Sequence, residues 1–423
     1  MKNIELLAPA GDMESLRAAI LYGANAVYIG GEGFGLRANA GFTHENLIQA
    51  VEHAHNHDKK IYLTCNIVAN NSDVERFPQF IREAAETGID AVIVSDLGFL
   101  DLVKTHAPDI DVHISTQAGV MNHASANMLY KLGAKRVILA REVSLCEIKR
   151  IRENTPPELE IETFVHGAMC MAFSGRCLIS SYLTARDANR GQCSQPCRWS
   201  YHLMEETRPG EFFPVFENTD GSGSHIFNSK DLCMLEHIGD LIESGVTSLK
   251  IEGRAKTAYY TAVITNAYRA AINAYNKEEA APKWALREVN CVSHRPYCTG
   301  FYLDEDTLQS YENSGYIRDC DFVGTVDGYC ADENLLEITQ RNHFTMNDYI
   351  EVVSPGISPV QIAIREMYNS SGERVSVANR ATEKLLIKCE TAFEGSVKGS
   401  MLRRVNKSSD VFTKSQERAS EDS

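Results

Sequence analysis

Eight short apolar, β-branched runs recur through the first part of this chain. They occupy residues 4–9 (IELLAP), 26–31 (AVYIGG), 60–65 (KIYLTC), 91–96 (AVIVSD), 111–116 (DVHIST), 136–141 (RVILAR), 161–166 (IETFVH) and 248–253 (SLKIEG). Runs of this length and composition read as strands buried on both faces. The segments between them, such as MESLRAAILYG and ENLIQAVEHAHNHD, carry apolar residues at helical spacing. Eight strands alternating with helices over about 275 residues predict an α/β fold, a (β/α)8 TIM-like barrel. A doubly wound sheet is the alternative. It usually has fewer strands, and GGEGFG at 30–35 spaces its glycines wrongly for a dinucleotide loop.

The rhythm breaks once, after the seventh strand, where about 80 residues stand in place of the usual ~30 of a barrel repeat. The barrel is therefore expected over residues 1–276, with an insertion at 167–235. Residues 277–315 read as a connecting segment. From 316 to 405 short strands separated by Gly, Asn, Asp and Pro predict a small C-terminal all-β barrel domain. Residues 406–423 are polar enough to be expected disordered.

Loops that follow barrel strands form the catalytic face, so the insertion is expected there. It is rich in cysteine: Cys170, Cys177, Cys193 and Cys197, with Cys233 beyond. No apolar run approaches membrane-spanning length, and the N-terminus MKNIELLAPAGD lacks the pattern of a signal peptide. A cytoplasmic location and reduced thiols are the expectation. Clustered soft thiolates then point to a metal or iron–sulfur centre. Their irregular spacing is not the paired C-x2-C of a structural zinc site. The net charge of −15 argues against a broad nucleic-acid face. Basic residues gather only locally, as in Lys131, Lys135, Arg136 and Arg141, and in Arg403, Arg404 and Lys407; these read as solvated surface charge.

Polar residues at the carboxyl ends of the strands should converge on one pocket. They are Asn66, Asp96, Thr116 with Gln117, Arg141 with Glu142, His166, and Glu252 with Arg254. His166 and Glu252 are the candidate catalytic groups. Arg37, Arg141 and Arg254 are candidate clamps for a carboxylate, because a guanidinium binds one in two places at once. His53, His55 and His57 sit near the end of a helix on the opposite side of a barrel and read as a solvated helix end. No H-E-x-x-H or G-x-S-x-G motif is present.

ETFVHGAMCMAFSGRCLIS, together with LAPAGD, RDANRGQCSQPCRW, NSKDLC, SLKIEGR and SHRPYCTGFY, resembles the signature of the collagenase-like peptidases of unknown mechanism. The likeness covers about 400 residues. It is greatest toward the branch of prephenate-dependent tRNA uridine hydroxylases. The resemblance implies an enzyme that makes 5-hydroxyuridine at the tRNA wobble position, with prephenate as co-substrate. It also implies a 4Fe-4S cluster held by Cys170, Cys177, Cys193 and Cys233, with Cys197 spare. The partners implied are tRNA and prephenate, with no membrane. By analogy of fold, the β domain becomes an RNA-docking module. The alternatives are a collagenase-like peptidase, a scaffold whose cluster only staples the insertion, and a hydroxylase of another RNA.

Overall fold

A computed structural model describes residues 4–36, 41–170, 172–199, 229–303, 316–330, 332–390 and 398–406. Arg37, residues 201–228 of the insertion and the tail from 407 onward lie outside the described residues. Two compact units divide the chain. The first takes residues 1–16, 24–256 and 295–316; the second takes 17–23, 257–294 and 317–423.

In the first unit, strands and helices alternate as β1 (Glu5–Pro9), α1 (Met13–Leu21, crossing the division), β2 (Ala26–Gly30), α2 (His44–His55), β3 (Lys60–Cys65), α3 (Asn71–Glu86), β4 (Ala91–Val94), α4 (Leu97–His106), β5 (Asp111–Ile114), α5 (His123–Lys131), β6 (Arg136–Ile138), α6 (Leu145–Glu153) and β7 (Glu160–Ala168). After β7 come α7 (Ile179–Thr184), β8 (Asp231–Cys233), α8 (Ile238–Glu243) and β9 (Ser248–Ile251). Strands β1 to β7 pair in parallel in chain order, and β9 pairs in parallel with both β1 and β7. The ring of eight is therefore closed, and every predicted barrel strand is in it. Closure leaves no sheet edge to protect. Helix starts follow ordinary capping chemistry: Thr43, Asn70, Asp96, Asn122 and Ser144 each accept a backbone N–H from the first turn.

One short strand departs from the pattern. β8 runs antiparallel to the end of β7, placing Cys233 opposite His166, and β10 (Tyr297–Cys298) runs parallel to β8. The insertion thus returns to the barrel as a strand added at the end of β7.

The closed end of the barrel holds a buried ionic layer. Arg136 was expected among surface charges; instead it points inside. Its Nη1 donates to Glu5 at 2.5 Å, to Glu162 at 2.8 Å and to Ser248 at 3.2 Å. Its Nε donates to Glu160 at 2.7 Å. Burial alone would raise the pKa of Glu5, yet the Arg136 charge and its hydrogen bonds hold it below the usual carboxylate value.

The second unit contains α9 (Ala258–Tyr275), α10 (Lys283–Glu288) and the strands β11 (Cys320–Cys330), β12 (Leu335–Gln340), β13 (Phe344–Thr345), β14 (Ile350–Val353), β15 (Val360–Ile362), β16 (Ile364–Tyr368), β17 (Val377–Ala378), β18 (Lys384–Cys389) and β19 (Met401–Val405). Seven form an antiparallel sheet in the order β15-β14-β19-β11-β12-β18-β16; β13 and β17 pair separately. Alternate residues such as Val323, Leu336, Ile338, Ile350, Leu385 and Ile387 fill its core. Gly324 marks a bulge in β11; a Cβ there would meet the Thr339 carbonyl at 2.9 Å.

β19 was not expected. Its MLRRV looks basic, but strand alternation sends the two arginines to opposite faces. Arg403 is fully buried and donates to Glu288 at 2.6 and 2.9 Å and to Glu351 at 2.8 Å. Arg404 pairs with Asp321 at 2.7 Å. The run at 403–404 is a structural ion-pair system, not solvated charge.

Candidate functional site

At the carboxyl ends of the barrel strands lies a cavity of about 170 Å³. Its floor and sides come from strand residues pointing inward: Tyr28 on β2, Thr64 on β3, Ile93 on β4, Ile138 on β6, Phe164 on β7 and Lys250 on β9. Residues just past the strands add Leu36, Asn66, Ser115, Thr116, Gln117, Arg141, Glu142, Glu252 and Arg254. The remaining wall is the cysteine-rich segment, including Cys170, Phe173, Ser174, Gly175, Cys177, Cys193 and Cys197. The expected side of the barrel therefore carries the pocket.

Three cations face it. Arg254 is buried, with Nη1 donating to the Thr64 hydroxyl at 2.6 Å and Nη2 donating to the Leu36 carbonyl. Arg141 donates to the Ala168 carbonyl, lies 3.9 Å from Glu252 and stacks its guanidinium 4.1 Å from the Phe164 ring centroid. Lys250 donates to Glu162 at 2.8 Å and lies 4.4 Å from the Tyr28 ring centroid. Burial pushes its pKa down, with Glu162 opposing. Glu252 is met by the Tyr28 hydroxyl at 3.4 Å. The set suits an anionic ligand carrying more than one charged group.

Lys250 was not among the predicted site residues. The signal for it is strand alternation: Lys250, Glu252 and Arg254 are spaced by two, so the lysine of an otherwise apolar run belongs on the pocket face. Asp96, by contrast, is spent on the start of α4, accepting from the backbone N–H groups of Gly98 and Phe99.

The cysteine segment is anchored by its own polar groups. Both the backbone N–H and the hydroxyl of Ser174 donate to Glu142, at 2.9 and 3.0 Å. Gly175 has φ +76°, and a Cβ on it would sit 2.3 Å from the Gln117 carbonyl oxygen, so only glycine fits. Asn189 donates to the Cys177 carbonyl at 2.9 Å. Arg190 donates to Asp73 at 2.6 Å and to the Val68 carbonyl at 2.7 Å, tying the segment to α3. Ser174 is thus an anchoring residue, and among the described residues no histidine lines the cavity.

Of the predicted ligand cysteines, Cys170, Cys177 and Cys193 share the cavity wall, joined by Cys197. Cys233 stands on β8, paired in register with His166. Neither belongs to the cavity lining, and the His166 ring is buried 5.3 Å from that of Tyr297. None of these cysteines is in a disulfide. Among the described residues, no group of three or more His, Cys, Asp or Glu could hold a single metal ion. A cluster spreads its thiolates around several metal atoms, and partly exposed cysteines outside any disulfide, lining one cavity, are the donor class it takes. The donor chemistry fits. His53, His55 and His57 lie on the last turn of α2 and just beyond it, where His55 pairs with Asp90.

Residues 11–312 match Peptidase family U32, and residues 318–403 match the Peptidase family U32 C-terminal domain. The tRNA hydroxylation protein P of Escherichia coli is 36% identical over 417 residues, covering 88% of this chain and 91% of that protein. The 23S rRNA 5-hydroxycytidine C2501 synthase of Escherichia coli is 39% identical over 276 residues, covering 65% of this chain and 40% of that protein. The collagenase of Porphyromonas gingivalis is 33% identical over 404 residues, covering 89% of this chain and 95% of that protein.

Proposed function

The chain belongs to peptidase family U32, and from that premise we propose that it is an RNA-hydroxylating enzyme and not a peptidase. Two of the relatives named above are described as acting in RNA hydroxylation, one on tRNA and one on rRNA. The observation that carries the choice for this chain is the makeup of the cavity lining, thiols together with three cations; among the described residues it holds no histidine. A serine peptidase of the usual kind needs an imidazole beside its nucleophile. Here Ser174, the cavity serine that meets Glu142, fastens a loop at two points.

In its finer form, the proposed reaction is hydroxylation of the tRNA wobble uridine at carbon five with prephenate as co-substrate. Arg141, Arg254 and Lys250 would hold the carboxylates of such a co-substrate. Glu252, beside Arg141 and the Tyr28 hydroxyl, is positioned to accept or return a proton. Cys170, Cys177, Cys193 and Cys233 would hold a 4Fe-4S cluster, which when bound supplies redox chemistry that side chains lack. Arg37 is retained as a further anion-binding candidate.

The test is nucleoside mass spectrometry of tRNA and rRNA from cells with and without the gene. Loss of a hydroxylated pyrimidine, restored by the wild type but not by Cys193→Ala, is expected. Unchanged nucleosides together with gelatin hydrolysis by the purified protein would return the chain to the peptidases.

A further inference from the structure

The sequence 172–199 contains four arginines, Arg176, Arg186, Arg190 and Arg198, against one acid, Asp187, in a chain whose net charge is −15. The acid is used locally, accepting from the Asn189 backbone N–H. Arg190 is committed to Asp73. Arg176 and Arg186 are exposed and form no ion pair among the described residues. The second unit handles its surface charge differently: Lys384 pairs with Asp327, and Arg318 and Arg404 both pair with Asp321. Arg176 and Arg186 thus put positive charge on the segment that walls the cavity.

The same segment displays large apolar side chains to solvent. Leu178 is 70% exposed and Tyr182 89% exposed. The Tyr182 N–H bonds to the Leu178 carbonyl, so the two share one face of α7, a turn apart. The other face of α7 is fastened inward, where Ser180 and Thr184 meet the Ser194 hydroxyl, each at 3.0 Å. Trp199 is 43% exposed just beyond Cys197. Phe173 is 40% exposed while also lining the cavity, which joins this outer face to the pocket.

Exposed rings interleaved with arginines are how single-stranded nucleic acid is held: bases stack on the rings and cations meet the phosphates. An enzyme that acts on a base must also draw it out of its stack and hold its neighbours. We propose that segment 172–199 is the RNA-docking element of this protein. Tyr182, Trp199 and Phe173 stack unpaired bases flanking the one that enters the cavity, and Arg176 and Arg186 hold their phosphates. The inference rests on the RNA reading above and adds the element and the kind of RNA: an unpaired loop, not a duplex.

The experiment is fluorescence anisotropy with the full-length protein purified without oxygen. The probes are a labelled RNA hairpin with an unpaired loop and a fully paired RNA duplex of equal length. Wild type is expected to prefer the hairpin. Tyr182→Ala and Trp199→Ala are each expected to weaken it roughly five- to hundredfold, the range of a single stacking contact. Arg176→Ala and Arg186→Ala should each lower the slope of log affinity against log salt by about 0.7. Iron content measured on every variant shows whether the cysteine segment is intact. Tyr182 touches little else, so its variant keeps the test valid should Trp199→Ala fold poorly. If wild type binds the hairpin and both ring variants bind it equally well, the docking element lies elsewhere, the face serves another partner, and the RNA-hydroxylase reading stands. If wild type binds neither RNA while RNA from the deletion strain has normal nucleosides, both readings fall.

Discussion

The two ends of the barrel use the same residue types to opposite effect. At the closed end Arg136 presents its nitrogens to Glu5, Glu160 and Glu162, and Lys250 closes the set through Glu162. Every charge there is answered from within the barrel. At the open end Arg141 meets one backbone carbonyl and a carboxylate 3.9 Å away, and Arg254 meets a hydroxyl and a carbonyl. Carbonyl and hydroxyl oxygens help to position both guanidinium groups, and both line the cavity. A dense ion-pair network away from any cavity marks architecture, and cations gathered at a cavity wall mark a candidate site. Lys250 stands between the two, bonded down to Glu162 yet lining the pocket.

The contrast is tested most severely at Arg136. Arg136→Met leaves Glu162, fully buried, with one cation fewer and Glu5 without its partner. Removing one member of a buried ion pair costs about 3–5 kcal/mol, because the stranded charge has no water. Denaturant unfolding followed by tryptophan-independent circular dichroism should show a loss of that order. Arg136→Met combined with Glu162→Gln should recover part of it. A loss under about 1 kcal/mol would mean that the closed end is not held by this network, and the distinction between the ends would fail.

The cysteine segment is fastened to the barrel by a charge that is itself nearly buried, and this gives an intermediate effect with a pH signature. Asp73 closes the capping box of α3 and accepts from Arg190 at 2.6 Å and Arg76 at 2.8 Å. The hydrogen bond from Arg190, helped by the Asn70 backbone and by Arg76, holds its pKa near about 2 instead of the ordinary 3.8. A depressed carboxyl contributes stability that is complete above the ordinary value and disappears as pH falls from about 3.8 toward about 2. Hydrogen exchange of the 172–199 backbone should therefore accelerate across that window while exchange in β1–β6 changes less. Asp73→Asn should accelerate it at neutral pH, by the equivalent of about 1–2 kcal/mol, and remove the pH step. A segment equally protected in both proteins would show that Arg190 is not its tether.

How much of this was legible beforehand depended on whether a signal was local. Each of the eight barrel strands is a contiguous apolar run, so composition alone found them, and the cysteine-rich break fell where the pocket wall is. β8 and β10 were invisible because strands of three and two residues, DLC and YC, have too few positions to show a period. Arg403 was misread because two adjacent arginines look like surface charge until the strand is known, after which alternation buries one. Arg136 was misread for a related reason: the acids that receive it sit on β1 and β7, far away in sequence. Lys250 was recoverable from its spacing of two to Glu252 and Arg254. The register of Cys233 with His166 was not, since it follows from an antiparallel strand added after the insertion.

The smallest effect on stability should come from the residue with the clearest expected effect on function. Arg141→Lys keeps the charge and most of the side-chain volume, so the contact with Glu252 and part of the stacking on Phe164 survive. Its stability should fall by about 1 kcal/mol or less, within the range of a single cation–π contact. What lysine cannot supply is the planar fork that grips a carboxylate or phosphate at two points while another nitrogen stays on the Ala168 carbonyl. Hydroxylation of RNA should therefore drop by roughly tenfold to a hundredfold, the 1.4–2.8 kcal/mol expected for one lost charge-assisted hydrogen bond. The drop should appear mainly in the KM for the proposed anionic co-substrate, since the fork would bind it before any bond changes. The same substitution at the closed-end Arg136 should cost stability and leave the rate of the folded protein unchanged. A variant that loses several kcal/mol of stability at Arg141, or one that keeps full activity with lysine there, would place this guanidinium with the architecture and leave Arg254 and Lys250 as the anion site.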